Sequence, residues 1–81
     1  MDNIGDNIRR IRILLGIKQI TMAKMLSLSV TSYGKIERNE VGIKPERLEK
    51  IAVIFQIDVD YIQNLSLFLK VLRQGFVSKE D

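Results

Sequence analysis

The side chains that could do chemistry in this sequence are hydroxyls, amides and cations. The chain has no histidine and no cysteine, so imidazole bases, thiolate nucleophiles and the usual zinc and haem ligands are absent. No carboxylate pair or hydroxyl nucleophile is accompanied by a plausible base. We therefore expect a protein that binds rather than catalyses, with no metal and no cofactor.

The positive charges are gathered in one segment. No acidic residue lies between Asp6 and Glu37. Six cations fall inside this acid-free segment: Arg9, Arg10, Arg12, Lys18, Lys24 and Lys35. A segment of one charge favours an anionic partner, and the pattern fits nucleic acid. The other interpretation is a solvated basic face without a partner.

Length and composition bound the remaining possibilities. Eighty-one residues, of which 46% are hydrophobic and 28% are charged, predict one globular domain. The longest apolar runs are too short to cross a membrane, and the first residues lack the basic region of a signal peptide. Together with the lack of cysteine, these features predict a cytoplasmic protein with no membrane partner.

Apolar residues at helical spacing predict an all-α fold, and no run alternates as a strand would. Five helices are predicted in residues 1–64 and one more over residues 65–76. The second and third helices cover residues 19–26 and 30–38. The expected end signals are the N-caps Asp2 or Asn3, Ser29 and Asp58, the C-terminal stop Gly16, and Pro45 opening helix four.

The second and third helices form a motif in residues 19–38. Two helices of about eight residues, joined by a turn at 27–29, match the helix-turn-helix unit. The stretches GIKQITMAKML (16–26) and SLSVTSYGKIERN (27–39) resemble the lambda-repressor-like, Cro-type (xenobiotic-response-element class) helix-turn-helix family. The resemblance extends over residues 4 to 65. It implies a compact five-helix DNA-binding domain over residues 1–64, with a recognition helix over 30–37.

This resemblance implies a role for each matched position. Four residues of the recognition helix are expected to read base edges in the major groove: Val30, Thr31, Ser32 and Lys35. Phosphate contacts are expected from six residues: Arg9, Arg10, Gln19, Arg38, Asn39 and Lys44. Arg12 and Glu37 are expected to form a structural pair that fixes the recognition helix. The plain alternatives are that the DNA-contact residues are ordinary exposed polar residues and that Glu37 pairs only with a surface lysine.

Several positions depart from the family pattern. Gly34 lies inside the recognition helix, where glycine costs about 1 kcal/mol relative to alanine. A close approach to DNA and drift at an exposed site both explain this glycine. Lys18 is a poor N-cap for the second helix. Ile20 and Met25 are apolar where the family is usually polar, which predicts that something covers part of the second helix.

Residues 65–76 lie beyond the family pattern and form a predicted apolar helix. Its apolar side chains cover more than half of the circumference: Leu65, Leu67, Phe68, Leu69, Val71, Leu72 and Phe76. Packing on one small domain needs a stripe of about 100°, so the wider face predicts a homodimer interface. The other interpretation is a helix that only caps its own core. Gly75 is expected to end the helix, and residues 77–81 to form a frayed tail.

These features together predict a sequence-specific transcriptional regulator, most simply a repressor, in a bacterial or phage cytoplasm. It would bind double-stranded DNA as a homodimer on an inverted repeat. One alternative is a DNA-binding antitoxin or restriction–modification controller that also binds a protein partner through Ile20, Met25 and the last helix. The other is a protein-interaction module without DNA binding, which would not be expected to keep the acid-free segment.

Overall fold

The computed structural model describes residues 3–78, and the side chains of residues 3–74. These residues form helices without a strand, so the predicted all-α fold is confirmed. The helices are α1 (Ile4–Leu14), α2 (Gln19–Met25), α3 (Val30–Glu37), α4 (Pro45–Phe55), α5 (Val59–Gln63) and α6 (Leu65–Ser78). None of these helices is long and apolar enough to cross a lipid bilayer.

The helix starts follow the signals in the sequence. The side chains of Asn3, Ser29 and Asp58 each accept a hydrogen bond from a backbone N–H in the first turn of α1, α3 and α5. Such caps satisfy N–H groups that have no partner within the helix. Pro45 occupies the first turn of α4, where its fixed φ suits the helix. Lys18 precedes α2 without a side-chain cap, as its residue type predicts.

One C-terminal motif ends the first four helices. A left-handed residue follows each helix: Gly16, Ser27, Asn39 and Gln56, with φ between 58° and 71°. At each end two backbone N–H groups turn back onto carbonyl groups of the last turn, which is the Schellman arrangement. In the turn between α2 and α3, for example, the Leu28 N–H donates to the Ala23 carbonyl at 2.8 Å. The motif therefore sets the direction in which α3 leaves α2.

The core lies where α1, α2 and α3 meet and extends over α4 and α5. Its fully buried side chains are Ile8, Ile11, Met22, Tyr33, Ile51 and Ile62. α3 packs against both α1 and α2, and α5 packs against α1, α4 and α6. Leu28 in the turn is partly buried against this core. Because α3 is held on two sides, its remaining face is presented to solvent.

Gly5 is a close contact between α1 and α3. A Cβ atom at this position would overlap the carbonyl oxygen of Ile36. The Gly5 N–H donates to Oδ1 of Asn39 at 3.0 Å, and the Asn39 side-chain amide also donates to the Asn3 side chain. The first turn of α1 is thereby attached to the end of α3. Only glycine leaves room for this approach.

The last helix begins in the core and then leaves it. Leu65 and Phe68 are buried, and the ring of Phe68 lies 5.9 Å from that of Tyr61 between centroids. The helix continues through Gly75 to Ser78, so the expected stop at Gly75 is wrong. Glycine in a helix interior costs only about 1 kcal/mol, which is too little to end a helix by itself. The predicted tail at 77–81 lies partly in α6, and residues 79–81 are outside the described residues.

Candidate nucleic-acid interface

The outer face of α3 carries the residues that were predicted to read bases. Val30, Thr31, Ser32 and Lys35 are all exposed, whereas the inner residues Tyr33, Ile36 and Glu37 are buried. This division follows from the helical period, since Thr31 and Lys35 lie opposite the buried residues and Val30 and Ser32 lie to either side of them. α3 thus presents a methyl-bearing side chain, two hydroxyls and a cation to solvent.

The chemistry of this face matches the groups that base edges offer. Hydroxyls donate and accept hydrogen bonds, an ammonium donates to guanine acceptors, and a valine methyl contacts the thymine methyl. The Ser32 hydroxyl lies 3.0 Å from that of Ser29, and Ser29 also caps the helix. Base reading by these four residues stays a prediction, to which the structure adds that all four are exposed.

Behind this face, Glu37 lies at the centre of a buried polar cluster. Arg12 donates to its carboxylate through Nε (2.6 Å) and Nη2 (3.2 Å). Gln19 donates through Nε2 at 2.9 Å. Nη1 of Arg12 donates to the Ile17 carbonyl at 2.9 Å. The side chains of Arg12 and Glu37 are 11% and 1% exposed and Gln19 is half-buried, so the cluster that joins α1, α2 and α3 is largely shielded from solvent.

The ionisation of the cluster is set by its hydrogen bonds. Burial by itself raises the pKa of Glu37, but the hydrogen bonds from Arg12 and Gln19 bring the net pKa below its usual value. The hydrogen bond to Glu37 raises the pKa of Arg12. Burial raises the pKa of Tyr33 far above its ordinary range, and the Glu37 carboxylate raises it further. Tyr33 Oη makes no hydrogen bond with a described residue. At neutral pH the cluster therefore holds an ionised Arg–Glu pair beside a neutral phenol.

Four of the six residues predicted to contact phosphate are cations at the surface. Arg9 and Lys44 are exposed. Arg10 pairs with Asp6 at 2.9 Å, and Arg38 pairs with Glu40 at 2.6 Å. Both pairs are exposed, and exposed ion pairs contribute only about 0–1 kcal/mol in general, so a phosphate can replace the carboxylate.

The other two predicted phosphate contacts, Gln19 and Asn39, already have partners within the protein. The Gln19 amide donates to Glu37, and the Asn39 side chain holds the first turn of α1. Their phosphate contacts stay a prediction, and side-chain contacts would require these hydrogen bonds to change. Neither hydrogen bond has a local signal in the sequence, because both partners are distant along the chain.

Gly34 is buried, so the interpretation as drift at an exposed site is wrong. A Cβ atom there would lie 3.0 Å from Nη1 of Arg38, so the guanidinium lies across the helix at Gly34.

Two further exposed cations were not among the residues predicted to contact DNA. Arg47 and Lys50 line a shallow depression together with Lys44. In the sequence, the only sign of this group is that its three cations are three residues apart.

Comparison with known proteins decides the family. A family model described as helix-turn-helix matches residues 8–62. The chain belongs to the helix-turn-helix family. No curated protein matches the chain. Among solved structures, this helix-turn-helix protein is similar to the P22 c2 repressor protein, crystallised in complex with synthetic operator 9T in the presence of Tl+.

The similarity to that repressor extends over most of both chains. The two are 29% identical with a TM-score of 0.67, and the match covers 76% of this chain and 94% of the repressor chain. The helix-turn-helix family and this structural neighbour together support a DNA-binding transcription regulator.

Proposed function

We propose that this helix-turn-helix protein represses transcription as a homodimer that binds an inverted-repeat operator in double-stranded DNA. One observation carries the proposal. α3 is fixed to α1 and α2 through Glu37, and its outer face carries exposed hydroxyl, cationic and methyl groups. A helix held in this manner fits a reader of the major groove.

Phosphate contacts would supply much of the affinity. The exposed cations Arg9, Arg10, Arg38 and Lys44 would neutralise phosphates and release their counterions. Gln19 and Asn39 would add polar contacts near the two ends of the helix-turn-helix unit. Such contacts fix the position of a protein on the duplex but carry no sequence information.

Selection of bound duplexes from a random-sequence pool tests the proposal directly. The expected product is an inverted repeat with half-site centres about 10 base pairs apart, because a two-fold dimer places two recognition helices one helical turn apart. The logarithm of the affinity should fall by several units per logarithm of salt concentration. Binding that does not depend on salt, or selected DNA with no shared sequence, would contradict the proposal.

Substitutions can separate the reading of bases from the contact with phosphates. Thr31→Val keeps the shape of the side chain and removes its hydroxyl, so it should change the preference at one base pair by about 1–3 kcal/mol. Lys44→Gln should weaken all sequences alike and reduce the salt slope by about one unit. Lys70→Gln, an equal charge change on α6, is the control. Equal effects of Thr31→Val on every sequence would exclude a base contact.

The homodimer is proposed to form through α6. Of the residues predicted at this interface, Leu65 and Phe68 belong to the core of the same chain, so they are not free to face a partner. The side chain of Phe76 lies outside the described residues. The four that remain are 39–43% exposed: Leu67, Leu69, Val71 and Leu72. Large apolar side chains at this density on one helix favour contact with a second copy.

The double variant Leu67→Lys with Val71→Lys tests this interface. Both positions are exposed, so the variant should fold, sediment as a monomer and bind a single half-site weakly. Val53→Lys is a matched control, because Val53 is 73% exposed on α4. Truncation after Asn64 is a poorer test, since it also removes Leu65 and Phe68 from the core. A double variant that remains dimeric would place the interface elsewhere.

A second candidate function adds a protein partner, as in a DNA-binding antitoxin or a restriction–modification controller. Ile20 and Met25 on α2 are 56% and 51% exposed, which favours a surface that a partner covers. Ile20→Lys with Met25→Lys should then keep operator binding and lose a protein that co-purifies from the native host. The same variant with unchanged co-purification would exclude this surface.

A further inference from the structure

An exposed ion pair lies at the edge of the proposed DNA-reading face. Nε of Arg38 donates to Oε2 of Glu40 at 2.6 Å, and the two side chains are 57% and 49% exposed. The guanidinium also lies over Gly34, where a Cβ atom would come within 3.0 Å of Nη1. A side chain at position 34 would occupy this space, so the glycine lets the arginine lie along α3.

The end of α3 holds Glu40 in place for this contact. Asn39 adopts the left-handed conformation, and the Glu40 N–H donates to the Lys35 carbonyl at 2.9 Å. The Asn39 side chain is bound to Gly5 of α1, which fixes the turn on its other side. Glu40 is therefore attached to the recognition helix and is not part of a free loop.

We propose that Glu40 limits the affinity of this protein for DNA of any sequence, by holding the Arg38 guanidinium against α3 and away from phosphates. The inference rests on the proposed DNA-binding function and assigns Glu40 as a positioning residue within it. Glu40 acts in two ways: its carboxylate competes with phosphate for Arg38, and its own charge repels the DNA backbone. Its effect must be the same for all sequences, since phosphate contacts carry no sequence information.

The charge environment supports this role. Glu40 is the first carboxylate after Glu37, and Glu37 is buried. Glu40 is consequently the first exposed acid after the acid-free segment that starts beyond Asp6. The hydrogen bond from Arg38 lowers the pKa of Glu40, and the nearby charge of Lys35 contributes in the same direction. A single carboxylate therefore faces two of the cations that are proposed to contact DNA.

The experiment compares Glu40→Gln with the wild-type protein on labelled short duplexes of two unrelated sequences. Removing one unit charge at ion-pair distance in water should tighten binding about fivefold per subunit. The salt slope should become steeper by about 0.9 per subunit, because Arg38 then neutralises one more phosphate. Glu49→Gln on α4 is the control, since it makes the same charge change and Glu49 has no ion pair among the described residues.

The same substitution in a protein that lacks the Arg38 guanidinium separates two effects of Glu40 on DNA affinity: one that acts through Arg38 and one that comes from its charge alone. In an Arg38→Gln protein, the further change Glu40→Gln should leave the salt slope unaltered. Equal tightening by Glu40→Gln and Glu49→Gln, or an unchanged Glu40→Gln protein, would overturn the role of Glu40 while leaving DNA binding intact. A wild-type protein that binds neither duplex at low salt would overturn the proposed function and this inference together.

Discussion

Removal of the Glu37 carboxylate should be among the most damaging single changes to this fold. Glu37→Ala deletes the acceptor of three hydrogen bonds, two from Arg12 and one from Gln19. Truncating one partner of a buried ion pair costs about 3–5 kcal/mol, since the other charge is left unpaired. Arg12 keeps its bond to the Ile17 carbonyl and is 11% exposed, so we expect about 3 kcal/mol, the lower end.

Thermal unfolding monitored by circular dichroism measures this loss. For a domain of this size, about 3 kcal/mol corresponds to a decrease in Tm of about 12–24 °C. Glu40→Ala is the matched control, because its Arg–Glu pair has the same 2.6 Å nitrogen–oxygen distance but is exposed to solvent. The control should leave the Tm nearly unchanged. Equal Tm values for the two variants would refute the argument that burial, rather than geometry, makes the Glu37 pair important.

Replacement of both partners distinguishes the value of the pair from the cost of an unpaired charge. Arg12→Met combined with Glu37→Leu leaves neither charge in the protein interior. Apolar replacement of a buried ion pair is often neutral or stabilising, so the double variant should recover most of the Tm lost in Glu37→Ala. A double variant as unstable as the single one would show that the cluster stabilises the fold by its own hydrogen bonds.

Further predictions concern acid and the glycines. The pKa of Glu37 is lowered in the folded state, so ionised Glu37 contributes to the free energy of unfolding. This contribution is fully present above the unfolded-state pKa of about 4.3, and it is lost as the pH falls through the lower folded-state pKa. Urea unfolding midpoints should decrease on acidification in the wild-type protein and decrease less in Glu37→Gln. Gly5→Ala should lower stability by about 1–3 kcal/mol, because the new methyl meets the fixed carbonyl of Ile36. Gly34→Ala should instead be neutral or stabilise by up to about 1 kcal/mol, because only the flexible end of Arg38 must move. Equal losses of Tm from the two alanines would contradict the contacts described at both glycines.

The sequence was sufficient for the order and the starts of the helices. Ser29, Asp58 and Pro45 are local signals, since an N-cap or a first-turn proline acts within three residues of its own position. The spacing of apolar residues likewise predicted which side of α3 is buried. The Arg12–Glu37 contact has no local signal of its own, and it was expected only because both positions match the family pattern.

Features that depend on a distant surface could not be read from the chain. Gly5 is an ordinary residue near a helix start until α3 is placed against it. Ser27 and Gln56 adopt a left-handed conformation that usually indicates glycine or asparagine, so their helix ends had no residue signal. The prediction that Gly75 ends the last helix was wrong, since α6 continues to Ser78. A glycine ends a helix only where the backbone that follows can turn back onto the last helical turn.

The outer face of α3 has a consequence for how such proteins diversify. Val30, Thr31 and Lys35 are exposed, and exchanges at exposed positions usually change stability by less than about 0.5 kcal/mol. If α3 reads bases as proposed, a few substitutions on this face would change the preferred DNA sequence while the domain stays folded. Substitutions of Glu37, Gly5 or Tyr33 would instead disturb the buried contacts that hold α3 in place.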